Sequence, residues 1–433
     1  APQRVTIEGV LQTDPSAATY GWSAVAQVHR VEWAEGAASL RSLAWVTLKP
    51  NTLFITDTAF YRSVFPKPGS RLLERFYRAA RKTTGLLMDD DRPAGGEWNL
   101  DKENRQTWRG DPPVPKRPSF EMDAVTREVR DLVEERYANG FGTSAGFDWP
   151  VTAEDAHRLA DHFFAEVLPH FGPFEDAMAD DEPALFHSLL SASINLGHLD
   201  PLDLCRRAEA RYRKKSAPLA SVEGFVRQIL GWREFVRHVY EEHRAEYAEA
   251  NALRATLPVP AWYWGEPSGM RCLDRTVEQV LATGHSHHIA RLMVLSNLAT
   301  LLGVDPQALN HWFWIAYVDA YEWVVTPNVV GMGTFGDGGI FATKPYVSSG
   351  KYIQRMGPTL CAACRFDPKR SEGEKACPFN HLYWDFLARN RARFEKNPRM
   401  SIPLSSLRRH PKTVMDDHHH HARTWQARAA GRR

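Results

Sequence analysis

The spacing of apolar residues changes character near residue 70. Before it, Arg4-Val5-Thr6-Ile7 and Leu43-Ala44-Trp45-Val46-Thr47-Leu48 have the short apolar runs of strands, with Gly and Ala breaks between them. They predict a small α/β piece over about the first 55 residues. From Ser70 onward, RLLERFYRAARKTTGLLM places its apolar residues three and four apart, as a helix needs, and GGEWN breaks it. The Pro-rich basic run DPPVPKRP at 111–118 reads as a connector. MDAVTREVRDLVEERYA, Thr152 to His170 and SVEGFVRQILGWREFVRHVYEEHRAEYAEA then read as amphipathic helices, with Thr152 and Asp155 marking a capping-box start. Helical spacing continues through Asp274–Leu302 and Pro306–Val325 and loosens into the glycine-rich NVVGMGTFGDGG. The last stretch, with four histidines from His418 to His421, reads as a polar, irregular and partly ordered tail. The expectation is a mainly α-helical protein with a small N-terminal α/β domain. Its segments fall at 1–60, 61–118, 119–400 and 401–433.

Composition narrows the class without naming it. At 433 residues and 43% hydrophobic, the chain can bury a sizeable core. No apolar run approaches the ~20 residues of a membrane helix, and the opening APQRVTIEG lacks the apolar core of a secretion signal. No membrane partner is expected, and the location reads as intracellular. A net charge of +2, from 54 basic and 52 acidic residues, neither requires nor excludes a basic face for a polyanion. Fourteen tryptophans can serve stacking or electron transfer, although core packing is the commoner use.

Candidate chemistry concentrates in the second half. Cys361, Cys364 and Cys377 are close enough to share one centre, and Cys272 would return across 88 residues to complete four ligands. Four of five cysteines at metal-ligand spacing fit a reducing compartment, and spacing alone leaves iron–sulfur and zinc open. Cys205 is left over. His287, His288 and Arg291 fall on a predicted helix with Arg291 beneath the histidines, a geometry that can hold an anion and deliver a proton. A polar helix surface gives the same pattern. His187-Ser188-Leu189-Leu190-Ser191 offers hydroxyls and backbone N–H groups to a pyrophosphate, or simply a cap.

Taken together, the segments FYRAARKTTGLLM, GGEWNLDKENRQ, HSLLSASINLG, EGFVRQILGWREF, HHIARLMVLSN, DAYEWVVTPNVVGM, FGDGGIFATKPYVSSGKYIQRM and CAACRFDP…CPFNHLYWDFLARNR resemble the cryptochrome and photolyase superfamily. The likeness is to its bacterial iron–sulfur branch, whose repairing members act on (6-4) photoproducts, and it extends from about Phe60 to Met400. The resemblance implies a helical domain that binds FAD through Ser188, Leu190, Ser191, Gln228, Trp232, Arg233, Arg291, Asn297 and Asp319. It implies a 4Fe–4S cluster on Cys272, Cys361, Cys364 and Cys377. His288 is implied as proton donor with His287 beside it, and Tyr346, Lys344, Met332 and Arg105 around the lesion. Asp101 and Asp176 are implied near a divalent cation such as Mg2+. The implied partners are UV-damaged DNA and a cellular flavin reductant.

Two departures from the family pattern stand out. Its antenna half begins with a longer nucleotide-fold domain carrying Gly-Asp-Gln, whereas here only about 55 to 75 residues precede the shared region and the motif is absent. That argues against a lumazine-type antenna chromophore; either the domain is reduced or part of it lies outside the chain. In the aromatic relay that reduces the flavin, Trp264 and Trp312 match two members, but the third position is Phe313, with Trp314 and Trp323 as substitutes. The function expected is light-driven (6-4) repair. The alternatives are a cryptochrome-like blue-light sensor without repair, and a flavin-free DNA-binding protein with a structural metal. Oligomeric state is not readable from the chain.

Overall fold

The computed structural model describes residues 53–67 and 71–431 in full and the backbone of four strands between residues 6 and 47. Arg4, Val5 and Leu48, named in the strand expectation, lie outside the described residues. The chain divides into two units, 1–66 and 67–433. In the first, Thr6–Leu11, Ser16–Ala18, Gly21–Trp33 and Gly36–Thr47 form a four-stranded antiparallel sheet in which the long strand Gly21–Trp33 pairs with the other three. Helix Thr58–Val64 follows, started by the Asp57 carboxylate, which accepts from the Phe60 N–H at 2.7 Å.

The second unit is helical. Leu73–Thr84, Ala124–Arg136, Ala153–His162 and Leu219–Val226 through Tyr247 fall where the periodicity predicts them. Thr152 caps its helix as expected, accepting from the Asp155 N–H at 3.1 Å. Phe163, Phe164, Phe171 and Phe225 pack ring to ring in one part of the core, each ring worth roughly 1.5–3 kcal/mol once buried. Helix Ala124–Arg136 is the exception to amphipathic packing: it buries nothing, and Val125, Val129, Leu132 and Val133 are exposed.

Two predicted long helices are interrupted. Asp274–Leu302 is broken after Arg271–Thr283 by Gly284, whose φ of +63 ends the helix, and Pro306–Val325 is broken between Pro306–Ala316 and Glu322–Thr326. The breaks meet: the Val318 N–H donates to the Gly284 carbonyl at 2.9 Å, and a Cβ on Gly284 would lie 2.7 Å from Val318. Among the described residues, four π-helical turns, Phe163–Val167, Arg227–Arg233, Ala290–Ser296 and Pro327–Gly333, also interrupt the α-helical run. Such turns insert an extra residue and often mark functional positions.

The terminal stretch corrects the expectation of an irregular tail. Ser401–Leu407 and Lys412–Ala429 are helices, and the second packs along Pro378–Arg389. Its buried residues, His418, Ala422, Trp425 and Ala429, recur three and four apart. Small and polar types at those positions hid the stripe from a reading that looked for large apolar residues. Among the described residues, no helix is long and apolar enough to cross a membrane.

Candidate active site and cysteine centre

The site begins at the break after Gly284, which frees His285 to His287 from helical geometry before the chain re-enters a helix at His288. The His287 ring stacks on His187, with centroids 4.5 Å apart and planes 17° apart, and His288 meets His187 edge-on at 5.4 Å. His187 was read from sequence only as the lead of a serine cradle. It belongs to the trio because the segment before Ser191 is bent, with Leu185 and Leu189 at positive φ (43 and 58), a strained backbone of the kind found at functional sites.

Exposure grades the three histidines. His187 and His287 are enclosed, and burial first, then the neighbouring rings, pushes His187 down to about 3 and His287 well below the ordinary histidine range. The Nδ1 of His287 is buried without a hydrogen-bond partner. His288 is different: its side chain is 44% exposed and its Nε2 lies 3.7 Å from Asp176. Burial works to raise Asp176, but His288, Arg105 and the Tyr352 hydroxyl, at 3.3 Å, hold its carboxyl below the usual range.

Beside Asp176, burial first and then the charges of Asp176 and Asp101 push Glu175 up to about 7, against the pull of His288 and Gln228. Glu175 accepts from the side-chain amides of Gln228 and Asn104, and nothing in the local sequence marks it apart from its neighbour. Asp101 is paired with Arg105. Among the described residues, the three-member groups with metal-holding geometry are His187–His287–His288 and His381–Asp417–His421, and neither contains Asp101 or Asp176.

One turn along from His287, Arg291 donates to both carboxylate oxygens of Asp319 at 3.0 and 3.1 Å, a bidentate pair. Burial alone would raise Asp319, but Arg291, His285 and the Ser191 hydroxyl, donating at 2.7 Å, hold it at about 2. Asn195 donates to the Asp319 carbonyl and accepts from Arg233, so Ser191, Asn195, Arg233, Arg291 and Asp319 form one connected network. Ser188 contributes only a long contact, accepting from the Leu190 N–H at 3.4 Å. Burial pulls the Arg233 guanidinium down to about 10, and it sits over the Trp323 ring at 5.1 Å. Trp232 meets Phe341 at 5.9 Å.

Asn297 donates to the Ser348 carbonyl at 3.0 Å and accepts from the Ser348 N–H at 3.1 Å, pinning the segment after Tyr346 to the helix behind the trio. On that segment the Lys344 ammonium lies 5.9 Å from the Tyr346 ring, while Met332 sits on the turn Pro327–Gly333. Among the described hydrogen bonds and ring contacts, none joins Lys344, Tyr346 or Met332 to the histidines.

The aromatic residues line up in a row. Trp264, 45% exposed, meets Phe141 edge-on at 5.3 Å, Phe141 meets Trp312 at 6.2 Å, and Trp312 is fully buried. Trp312 touches Phe313 at 5.1 Å and Tyr317 at 6.0 Å. Tyr317, which the sequence reading missed, stacks on Phe313 at 5.3 Å and lies under the Arg291 guanidinium at 4.0 Å.

At the other end, Cys272, Cys361, Cys364 and Cys377 line one pocket closed by Met270, Ile353, Leu360, Phe366 and Phe379. Cys272 enters from the first turn of Arg271–Thr283, and Cys377 caps Pro378–Arg389. Helix N-termini favour thiolates. No disulfide links them, and a Cβ on Gly350 would lie 2.6 Å from the Cys377 sulfur, so only glycine leaves the sulfur room. Burial, then the neighbouring thiols, raises Cys272 far above its usual range and Cys361 to about 12; Cys377 also reaches about 12. Thiols that oppose one another's ionisation suit a shared metal centre, whose positive charge reverses that cost. Asn380 fixes the intervening loop by donating to the carbonyls of Pro368 and Arg370 and accepting from the Gly350 N–H. Cys205 lies apart, fully buried.

The helical unit thus carries a graded histidine trio, an arginine–aspartate network and a four-cysteine pocket. Residues 18–149 match a family described as deoxyribodipyrimidine photo-lyase-related protein. A protein named (6-4) photolyase from Agrobacterium fabrum is 44% identical over 372 residues, 86% of this chain and 73% of that one. The chain therefore belongs to the bacterial (6-4) photolyases, in the iron–sulfur branch of the cryptochrome and photolyase superfamily. Solved structures resemble it more distantly. A bacterial class III photolyase from Agrobacterium tumefaciens is 18% identical with a TM-score of 0.40, covering 73% of this chain and 62% of that one. A Synechocystis cryptochrome is 18% identical with the same TM-score of 0.40, covering 50% and 47%. The chain thus spans less than two thirds of either solved relative.

Proposed function

We propose that this protein repairs pyrimidine–pyrimidone (6-4) photoproducts in UV-damaged DNA, driven by blue light and a reduced FAD. The observation that carries the reading is the exposure gradient of the trio: the buried His287 and the partly buried His187 stand behind one histidine that is 44% exposed and 3.7 Å from a carboxylate. That is the arrangement of a single proton donor on a dry, rigid backing.

FAD, bound and kept reduced by a cellular reductant, supplies the photoexcited electron donor. The connected network of Ser191, Arg233, Arg291 and Asp319, with Ser188, Leu190, Gln228, Trp232 and Asn297, would hold it. The residues fit: Arg233 is a buried cation depressed to about 10, which favours an anion nearby, and Arg291–Asp319 presents paired charges to a polar ring edge. His288 holds a proton at Nε2, gives it to a lesion oxygen and takes it back, while Asp176, 3.7 Å from that nitrogen, orients the ring. Lys344, Tyr346, Met332 and Arg105 line the space for the extruded bases. Extrusion costs a few kcal/mol, and less for a poorly stacked lesion than for an intact pair.

Cys272, Cys361, Cys364 and Cys377 hold a 4Fe–4S cluster, which their soft donors, apolar surroundings and helix-terminal positions suit. Asp101 and Asp176, joined by Glu175, whose carboxyl burial and these two neighbours push up to about 7, would offer carboxylates to a divalent cation such as Mg2+. Photoreduction runs through Trp264 and Trp312 to Tyr317 in place of Phe313. No antenna chromophore is assigned, and the protein acts in the cytoplasm, on the nucleoid.

The test is restoration of an oligonucleotide bearing one (6-4) lesion by reduced protein under blue light, with a dark control and a cyclobutane-dimer substrate. Light-dependent restoration of the (6-4) substrate is expected. No restoration by protein that carries flavin and cluster would overturn the repair reading in favour of a light sensor.

A further inference from the structure

The run His418 to His421 plays no part in the proposed repair site. On the terminal helix its four members face different ways. His419 Nδ1 lies 2.7 Å from the buried Asp385 carboxylate, His420 is exposed, and His418 is fully buried. His421 turns toward His381 on Pro378–Arg389, with ring centroids 4.5 Å apart. Asp417, one turn before His421, completes a group whose ligand atoms all lie within 4.8 Å of one another: His381, Asp417 and His421.

The donors are prepared for an ion. His381 Nε2 donates to the Gly373 carbonyl at 3.3 Å, which leaves its Nδ1 lone pair facing the group. That Nδ1 lies 3.7 Å from an Asp417 oxygen, and the other Asp417 oxygen lies 3.4 Å from His421 Nε2. Beside the group, His418 Nδ1 sits 3.1 Å from His381 Nδ1, and the His418 Nε2 is buried with no hydrogen-bond partner.

We propose that His381, Asp417 and His421 form a second metal site that takes a divalent transition ion of the zinc type. Imidazole with one carboxylate suits zinc and its neighbours and disfavours Mg2+ and Ca2+, which prefer all-oxygen shells. The ion staples the terminal helix to Pro378–Arg389. It also braces the loop between Cys364 and Cys377, because Gly373 in that loop donates its N–H to Asp417 at 3.1 Å and its carbonyl accepts from His381.

The experiment uses untagged holoprotein, treated with a chelator and titrated with Zn2+ against a chromophoric competitor while the visible absorbance of the cysteine centre is followed. One equivalent of zinc should bind with that absorbance unchanged. The double variant Asp417→Asn, His421→Ala should bind on the order of 100-fold more weakly, and His420→Ala should bind as the parent does. Zinc should also slow tryptic cleavage at Arg408 and Arg409, which precede the terminal helix, in the parent but not in the double variant. Should the double variant fold poorly, His421→Ala alone supplies the comparison. Absence of stoichiometric binding, undiminished binding in the variants, or equal loss in His420→Ala, as a surface histidine run would give, would each overturn the site.

Discussion

The histidine trio and the cysteine quartet are both sets of ligand-type side chains gathered from distant stretches, yet they are built to opposite ends. The trio is graded from fully enclosed to 44% exposed, and its outermost member meets a carboxylate. The quartet lines a pocket of apolar side chains, held by helix termini and by the Asn380 clamp. A reactive site needs one group poised between protein and solvent, whereas a holding site needs none. Exposure, more than residue type, separates them.

The largest effect that tests this contrast comes from the quartet. Cys377→Ser should abolish the iron–sulfur centre proposed for the quartet and leave little folded protein, read as iron per chain and as loss of the cooperative thermal transition. A variant that folds normally without iron would show that the quartet is not structural.

Acid should come next. Six histidines in the interior or at its edge have depressed pKa values: His187 and His285 at about 3, His381 and His418 at about 4, His238 at about 2, and His287 well below 6.5. Between pH 6.5 and about 4 the unfolded chain therefore binds protons that the native chain refuses, so stability rises with pH across that window and is lost on acidification. The slope is up to about 1.4 kcal/mol per pH unit for each such histidine. Glu175 opposes with one proton, because its pKa is raised to about 7 and the native state holds that proton where the unfolded state has lost it. Denaturant midpoints from pH 7 to 4.5 should fall steadily; a flat profile would contradict the buried, neutral assignment.

Smaller changes sharpen the reactive side. Asp176→Asn should slow repair about tenfold and change the pH–rate profile, since the carboxylate is the group that His288 Nε2 faces at 3.7 Å. An unchanged profile would remove Asp176 from the proton step. Tyr317→Phe should slow photoreduction several-fold, and Phe313→Tyr should speed it less than a missing relay would suggest, because an oxidisable ring already stacks there. Transient absorption of the two variants separates these outcomes.

The sequence made the helices and the cysteine set legible because periodicity and ligand spacing are local signals. The interruptions that matter were not. Gly284 and the Tyr317–Tyr321 break gave no warning beyond a glycine, since their partner is each other across the fold. The π-helical turns under Arg233, Arg291 and Met332 depend on backbone hydrogen-bond pattern, which residue type does not encode. His187, Glu175 and Tyr317 entered the site through tertiary packing alone. The terminal helix was missed for a different reason, as its buried stripe is made of His and Ala with one Trp.

The most direct test of the account is single-turnover repair of a (6-4) oligonucleotide by the parent and by His288→Ala, with lesion binding and flavin content measured on the same samples. The account predicts at least about a 100-fold loss of repair, the scale of a lost general acid, with binding and flavin intact. Repair by His288→Ala at the parent rate would contradict the proton-donor role on which the reading of the site rests.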